Sequence, residues 1–209
     1  MTSEEATSEG TTSEEATPEE MHADLSRTLG ERSVVVLDAA RAEDQNGFAV
    51  TTAFAAAQGV GTLTDLEALA PELVFGGPPE CPARPLCLPG LDEVYGLEFR
   101  EFRTMTSRAE TVEALIAGQI DVGLLETTDA RLGIAPIMLL TDDRALQPHE
   151  NVVPLVRAEA ADRWGERLTG ALDETSARLT TPGLIRLNRA VEVDGLTPAE
   201  AAAQWWAGY

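Results

Sequence analysis

Seven short apolar runs, at residues 33–37, 48–51, 73–77, 97–102, 120–125, 137–140 and 151–156, constrain this 209-residue chain most, because helical patterns separate several of them. A run of that length without helical periodicity reads as a strand buried on both faces. The helical patterns carry their own start signals. In Thr17-Pro18-Glu19-Glu20 a capping hydroxyl precedes a first-turn proline and a carboxylate placed to reach back, and Met21, Leu25 and Leu29 follow at four-residue spacing. Thr64-Asp65-Leu66-Glu67 is another capping box, expected to open a short helix to about Ala70, and residues 91–95 read as helical. Ser107 and Glu110 open a helix whose buried stripe is Val112, Leu115 and Ile116. Alternating strands and helices predict an α/β fold, with a parallel-type sheet covered on both faces. Beyond residue 158 only helices are expected. Trp164, Leu168, Leu172 and Leu179 form one stripe, and Thr181-Pro182 and Thr197-Pro198-Ala199-Glu200 open two more helices.

The charge narrows the function. The chain carries 36 acidic and 15 basic residues, all of the latter arginine, for a net charge of −21. Nucleic acid is a poor partner for such a surface, since neutralising phosphates needs clustered cations. An anionic membrane is excluded on the same ground, and no apolar run approaches the roughly 20 residues that span a bilayer. Residues 1–20 hold seven glutamates, no basic residue and the hexapeptide TSEEAT twice. They do not form a secretory signal, which needs a basic start and an apolar centre. Residues 1–16 are expected to be a disordered acidic tail.

Catalytic and metal-binding patterns are absent from the sequence. There is no P-loop, no GxGxxG after a strand, no HExxH and no GxSxG. His22 falls on the first helix and His149 in a loop expected to be solvated; the two do not make a zinc site with one cysteine pair. Asp142-Asp143 reads as a solvated charged turn. No enzyme activity, cofactor or metal is expected.

The most distinctive segment lies between residues 75 and 90. Five prolines fall between Pro78 and Pro89, which stiffens the loop. Cys81 and Cys87 are the only cysteines; they either close a small ring, which implies an oxidising compartment, or stay reduced. Arg84 between them is either a fixed carboxylate clamp or a brace against a surface carboxylate.

The segments GGPPECPARPLCLPGL, VYGLEF, ALIAGQIDVGLLETTD and DDRALQPHENVVPLVR resemble the substrate-binding proteins of osmoprotectant ABC importers, whose solutes are glycine betaine, choline, carnitine and other quaternary ammonium compounds. LDAARAEDQNGFAVT and LNRAVEVDGLTPAEAAAQWW fit the same pattern, so the resemblance spans residues 17–209. It implies a class II periplasmic-binding-protein-like fold: two α/β lobes joined by crossing strands that close on a solute in the cleft, a closure read by an ABC transporter permease. It further implies a secreted or lipid-anchored, extracytoplasmic protein; a start at Met1 would instead imply a cytoplasmic one.

Carried over position by position, the resemblance implies ligand contacts from Asp44, Asn46, Arg84, Glu126, Thr127, Glu150 and Asn151. Asn46, Glu126 and the Glu150-Asn151 pair stand where many members have aromatic residues. The cation–π cage is thus replaced by polar groups, and carboxylates at 44, 126 and 150 would attract a cation by charge. The resemblance also implies that a half-lobe normally precedes Thr17. On that basis residues 17–37 lead to the hinge, residues 38–150 form the complete ligand-binding lobe, and residues 151–209 return to the incomplete lobe. Trp164, Trp205 and Trp206 would then be partly exposed or repacked, and either another chain would supply the missing half or the chain would be a truncated gene product. The alternative is a structural or regulatory interaction protein that kept the lobe and lost the solute.

Overall fold

The computed structural model describes residues 17–208; the tail expected over 1–16 lies outside them. Helix α1 (Pro18–Gly30) opens on a reciprocal capping box, with the Glu20 amide donating to the Thr17 hydroxyl at 3.3 Å and the Thr17 amide donating to the Glu20 carboxylate at 2.9 Å. It packs on β1 (Val34–Val36), whose only strand partner among the described residues is the antiparallel β7 (Leu155–Arg157). No residue of α1 is fully buried, and all of β1 is half-buried. The fully buried strand expected at 33–37 is therefore corrected. A two-stranded ribbon carrying α1 and the helix that follows β7 still leaves its outer edges open.

The larger sheet takes β2 (Asn46–Thr51), β3 (Val74–Gly77), β4 (Glu101–Thr104), β5 (Val122–Glu126) and β6 (Ile137–Leu139) in the order β4-β3-β5-β2-β6. Strand β3 runs parallel to β4 and β5, whereas β2 runs antiparallel to β5 and β6. The expected parallel sheet is thus mixed. Helices α3 (Leu88–Tyr95) and α4 (Arg108–Ile116) return the chain to the same sheet end, which makes β3, β4 and β5 parallel. Strand β2 enters from the crossing segment, and nothing in its sequence fixes its direction.

Side-chain alternation along these strands builds a core on each face. Phe48, Val50, Phe75, Val122 and Leu124 pack with Leu63, Leu66, Leu91, Tyr95 and Leu97. Ala49, Val74 and Leu125 pack with Val112 and Leu115 of α4 and with Ile120. The expectation that helices cover both faces holds. Helix α4 sits close because β5 offers bare backbone: a Cβ at Gly123 would stand 2.6 Å from the Thr111 methyl.

One helix has no signal in the sequence, and two local readings are corrected. The alanine-rich α2 (Thr52–Gln58), capped by the Thr51 hydroxyl, has no apolar period to announce it. Residues 64–67 form only a 3-10 turn in which Thr64 caps nothing; Asp65 instead accepts the Gly61 and Thr62 amides, both at 2.8 Å. Gly165, at φ 53°, breaks the stripe expected over 164–179 into α5 (Ala158–Trp164) and α6 (Glu166–Arg178).

Two more helices follow, α7 (Thr181–Glu192) and α8 (Pro198–Ala207). Trp164 is 53% exposed and Trp206 42%, as expected, with Trp205 edge-on to Trp206. Helix α7 is nevertheless fastened to the loop that follows β5 of the larger sheet. Asn188 donates to the Thr128 carbonyl at 2.9 Å, and Arg189 donates to the carbonyls of Ala130 at 3.3 Å and Leu132 at 2.6 Å.

Candidate functional site

Two segments cross between the β1–β7 ribbon and the larger sheet. Their backbones pair through Leu37 to Pro154, Ala40 to Val152, Val152 to Ala42 and Asp44 to Glu150, with N–O distances of 2.8–3.1 Å. Val36 stands opposite Leu155 and Glu43 opposite Asn151, so the upstream segment carries extra residues and bulges as it crosses. Side chains reinforce the crossing. Asn151 donates to the Ala40 carbonyl at 3.0 Å, and His149 meets the Glu43 carboxylate at 2.9 Å. His149 is therefore a half-exposed partner of the crossing, not the solvated residue expected. His22 likewise contacts the Leu37 carbonyl at 2.8 Å and ties α1 to the start of the crossing.

The sequence-derived site residues gather where the crossing meets β5. Asn46 is paired in register with Glu126. The exposed Asp44 accepts the Thr128 hydroxyl at 2.6 Å, and its amide donates to the Glu150 carbonyl at 3.1 Å. The Thr127 hydroxyl accepts the Gln45 amide at 3.0 Å. Asp44, Asn46, Glu126, Thr127, Glu150 and Asn151 thus belong to one hydrogen-bonded cluster. Glu150 and Asn151 also line an open groove of about 1210 Å³, whose other wall is α1 with Thr17, Glu20, His22 and Asp24. Glu126 is not a bare carboxylate: Arg108 Nε donates to its two oxygens at 2.5 and 2.6 Å.

Arg84 stands apart from the cluster. Cys81 and Cys87 form a disulfide and are both fully buried, so of the two readings of the cysteine pair the ring is the one found. The ring follows β3, and its Arg84 is half-exposed with Glu80 as ion-pair partner at 3.9 Å. The link from ring to cluster is Gln147, 7% exposed. Its Oε1 accepts from Asn46 Nδ2 at 2.9 Å, and its Nε2 donates to the Leu86 carbonyl at 3.0 Å.

Asp142 anchors Gln147 in turn. Its carboxylate accepts the Gln147 amide at 2.7 Å, the Leu146 amide at 3.0 Å and the Tyr95 hydroxyl. It is a structural acceptor, which corrects the solvated turn expected at 142–143 for Asp142, whereas Asp143 is exposed in a turn as expected. Burial, and then the bond to Asp142, push the Tyr95 phenol above its ordinary value. Among the described residues no group of three or more His, Cys, Asp and Glu side chains is placed to hold a metal.

Sequence reasoning missed Arg108, Thr128, Gln147 and the Glu43–His149 pair. One signal was available for Arg108. A cation in the first turn opposes the helix dipole, so an arginine just after the Ser107 cap needs a carboxylate elsewhere.

Parallel strands whose carboxyl ends carry loops and polar groups, with a crossover strand inserted antiparallel, define a binding crevice outside those ends. Joined to a second sheet by crossing segments, this is the lobe of a class II periplasmic-binding-protein-like solute receptor. The family described as the substrate binding domain of ABC-type glycine betaine transport systems matches residues 7–208, and the chain belongs to it. That family consists of transport components, not enzymes. A glycine-betaine-binding protein of Pseudomonas aeruginosa is 32% identical over 134 residues, which are 63% of this chain and 42% of that protein. A crystal structure of a glycine betaine/carnitine/choline ABC transporter superposes with a TM-score of 0.82 at 21% identity, over 92% of this chain and 70% of that one. Lactococcal OpuAC, closed on glycine betaine, gives a TM-score of 0.58 at 20% identity, over 90% and 72%. The matched segment thus spans less than half of the curated relative. No described helix is long and apolar enough to cross a membrane.

Proposed function

We propose that this chain supplies the solute-binding lobe of a receptor for an ABC importer, and that its solutes are quaternary ammonium compounds of the glycine betaine class. The observation that carries the reading is the cluster of Asp44, Asn46, Thr127, Thr128 and Glu150 at the junction of the crossing with the strand ends. A quaternary ammonium group has no N–H to donate, so it is held by aromatic faces or by charge. With Asn46, Glu126 and Glu150 at positions where aromatics were expected, the exposed carboxylates of Asp44 and Glu150 supply that attraction. Asn46, Thr127 and Asn151 orient the solute, and Arg84 approaches with the ring when the lobes close. An ABC transporter permease reads the closure.

The disulfide supports action outside the cytoplasm, where such bonds persist. The β1–β7 ribbon has no further strand on either side among the described residues. Further strands complete it, from the rest of a longer protein or from a separate chain, and extend the wall that α1 already gives the groove.

Calorimetric titration with glycine betaine, carnitine and choline tests the reading. Saturable heat with one of them is expected. A chain that is folded by circular dichroism yet gives neither heat nor a Tm change with any of them would refute solute binding.

A further inference from the structure

The carboxyl ends of three adjacent strands, in the order β4-β3-β5, carry charged side chains that the crossing does not use. Strand β4 leads into α4, whose first residue is Arg108; β5 ends on Glu126; and the ring bearing Arg84 follows β3. The Met105 amide donates to the Gly77 carbonyl at 2.7 Å, which holds the end of β4 against the end of β3. The Arg108–Glu126 pair therefore ties the start of α4, the helix that follows β4, to the carboxyl end of β5.

The pair is partly open to a solute. The side chains of Arg108 and Glu126 are 29% and 33% exposed. Arg108 directs Nε and Nη2 at Glu126, and its Nη1 has no partner among the described residues. A guanidinium carries five N–H donors, so this edge still offers donors for a carboxylate.

Resting on the solute-binding reading above, we infer that Arg108 and Glu126 act together as a dipolar recognition pair. The pair selects a zwitterionic solute, with the carboxylate on Arg108 Nη1 and the quaternary ammonium beside Glu126, over a solute that is only a cation. The reason is Coulombic. A lone cation near two opposite charges in contact is attracted by one and repelled by the other, and the terms nearly cancel. A zwitterion aligned antiparallel to the pair gains at both ends, and its carboxylate bond is charge-assisted.

The test is titration calorimetry on the full chain, Arg108→Gln and Glu126→Gln, with glycine betaine as zwitterion and choline as cation. In Arg108→Gln, glycine betaine weakens on the order of tenfold, the loss of one charge-assisted bond. Choline holds or tightens because Glu126 is unmasked, so the affinity ratio moves toward choline. In Glu126→Gln the ratio does not move toward choline, because both ligands lose the carboxylate beside the ammonium. A merely structural role would weaken both ligands alike or lower Tm without changing the ratio. A folded Arg108→Gln whose ratio stays within about twofold of the parent overturns the inference alone. If the parent binds neither ligand, the solute-binding reading falls and this inference with it. If Arg108→Gln does not fold, the ratio in Glu126→Gln decides, and a shift toward choline refutes the pair.

Discussion

Replacing Gln147 by leucine tests whether the ring and the cluster are held as one unit. The substitution nearly conserves volume and keeps the backbone bond from residue 147 to Asp142 at 2.7 Å. It removes the acceptor 2.9 Å from Asn46 Nδ2 and the donor 3.0 Å from the Leu86 carbonyl. A neutral hydrogen bond contributes about 1 kcal/mol net, and a buried polar group left bare costs about 1–3 kcal/mol. Asn46 is half-buried, so water compensates there in part, whereas the Leu86 carbonyl lies within the stiff ring. The expected loss is about 2–3 kcal/mol. With a urea slope of about 2 kcal/mol/M this lowers the midpoint by about 1–1.5 M at unchanged slope. Gln147→Glu keeps an acceptor for Asn46, sets a charge against the Leu86 carbonyl, and should lose at least as much. A loss below about 0.5 kcal/mol in Gln147→Leu, the range of neutral surface changes, would refute the coupling.

Two further predictions follow from packing and titration. In Gly90→Ala the new Cβ would stand 2.2 Å from the Pro85 carbonyl oxygen and 2.5 Å from a Leu146 methyl. Pro85 lies inside the disulfide ring and is not free to retreat, so a fall in Tm corresponding to about 1–3 kcal/mol is expected, and an unchanged Tm would show the ring to be soft. The Gly61 and Thr62 amides hold the Asp65 carboxyl below its ordinary value. A depressed folded-state value stabilises above the unfolded-state value and is lost as pH falls through the folded one. Asp65→Asn should therefore trail the parent most near about pH 7 and converge with it below about pH 3. Urea midpoints at the two pH values measure this, and a gap that widens in acid would contradict it.

Much of the scaffold was legible from local rules. Thr17 with Glu20 and Thr197 with Glu200 form the reciprocal boxes their spacing announced. Ser107 caps α4, although Glu110 turns its carboxylate to Thr106 instead of the cap amide. The apolar runs at 73–77 and 120–125 supply buried strands because alternate side chains have a packed face on either side. Helix α2 escaped notice because alanine favours a helix without marking a face.

The candidate site was proposed from the sequence as a set of residues, and its geometry was illegible there. Residue types and the family resemblance picked out Asp44, Asn46, Thr127, Glu150 and Asn151, which one cluster joins. What each carboxylate does depended on partners far away in sequence. Arg108 reaches Glu126 over 18 residues, His149 reaches Glu43 over 106, and Asn46 reaches Gln147 over 101. Such pairings depend on strand order and direction, which periodicity does not encode, because alternation looks the same in parallel and antiparallel strands. The alternating runs, the caps and the prolines by themselves determined that two faces of a sheet would be covered and that a stiff loop would follow β3; the closing of that loop into a ring belongs to the structure. Only the tertiary structure decided that β2 enters antiparallel, bringing the crossing segments beside the ends of β3, β4 and β5. Contacts between distant segments form only once the chain has folded back on itself, and there the charges of the crevice are paired or left free.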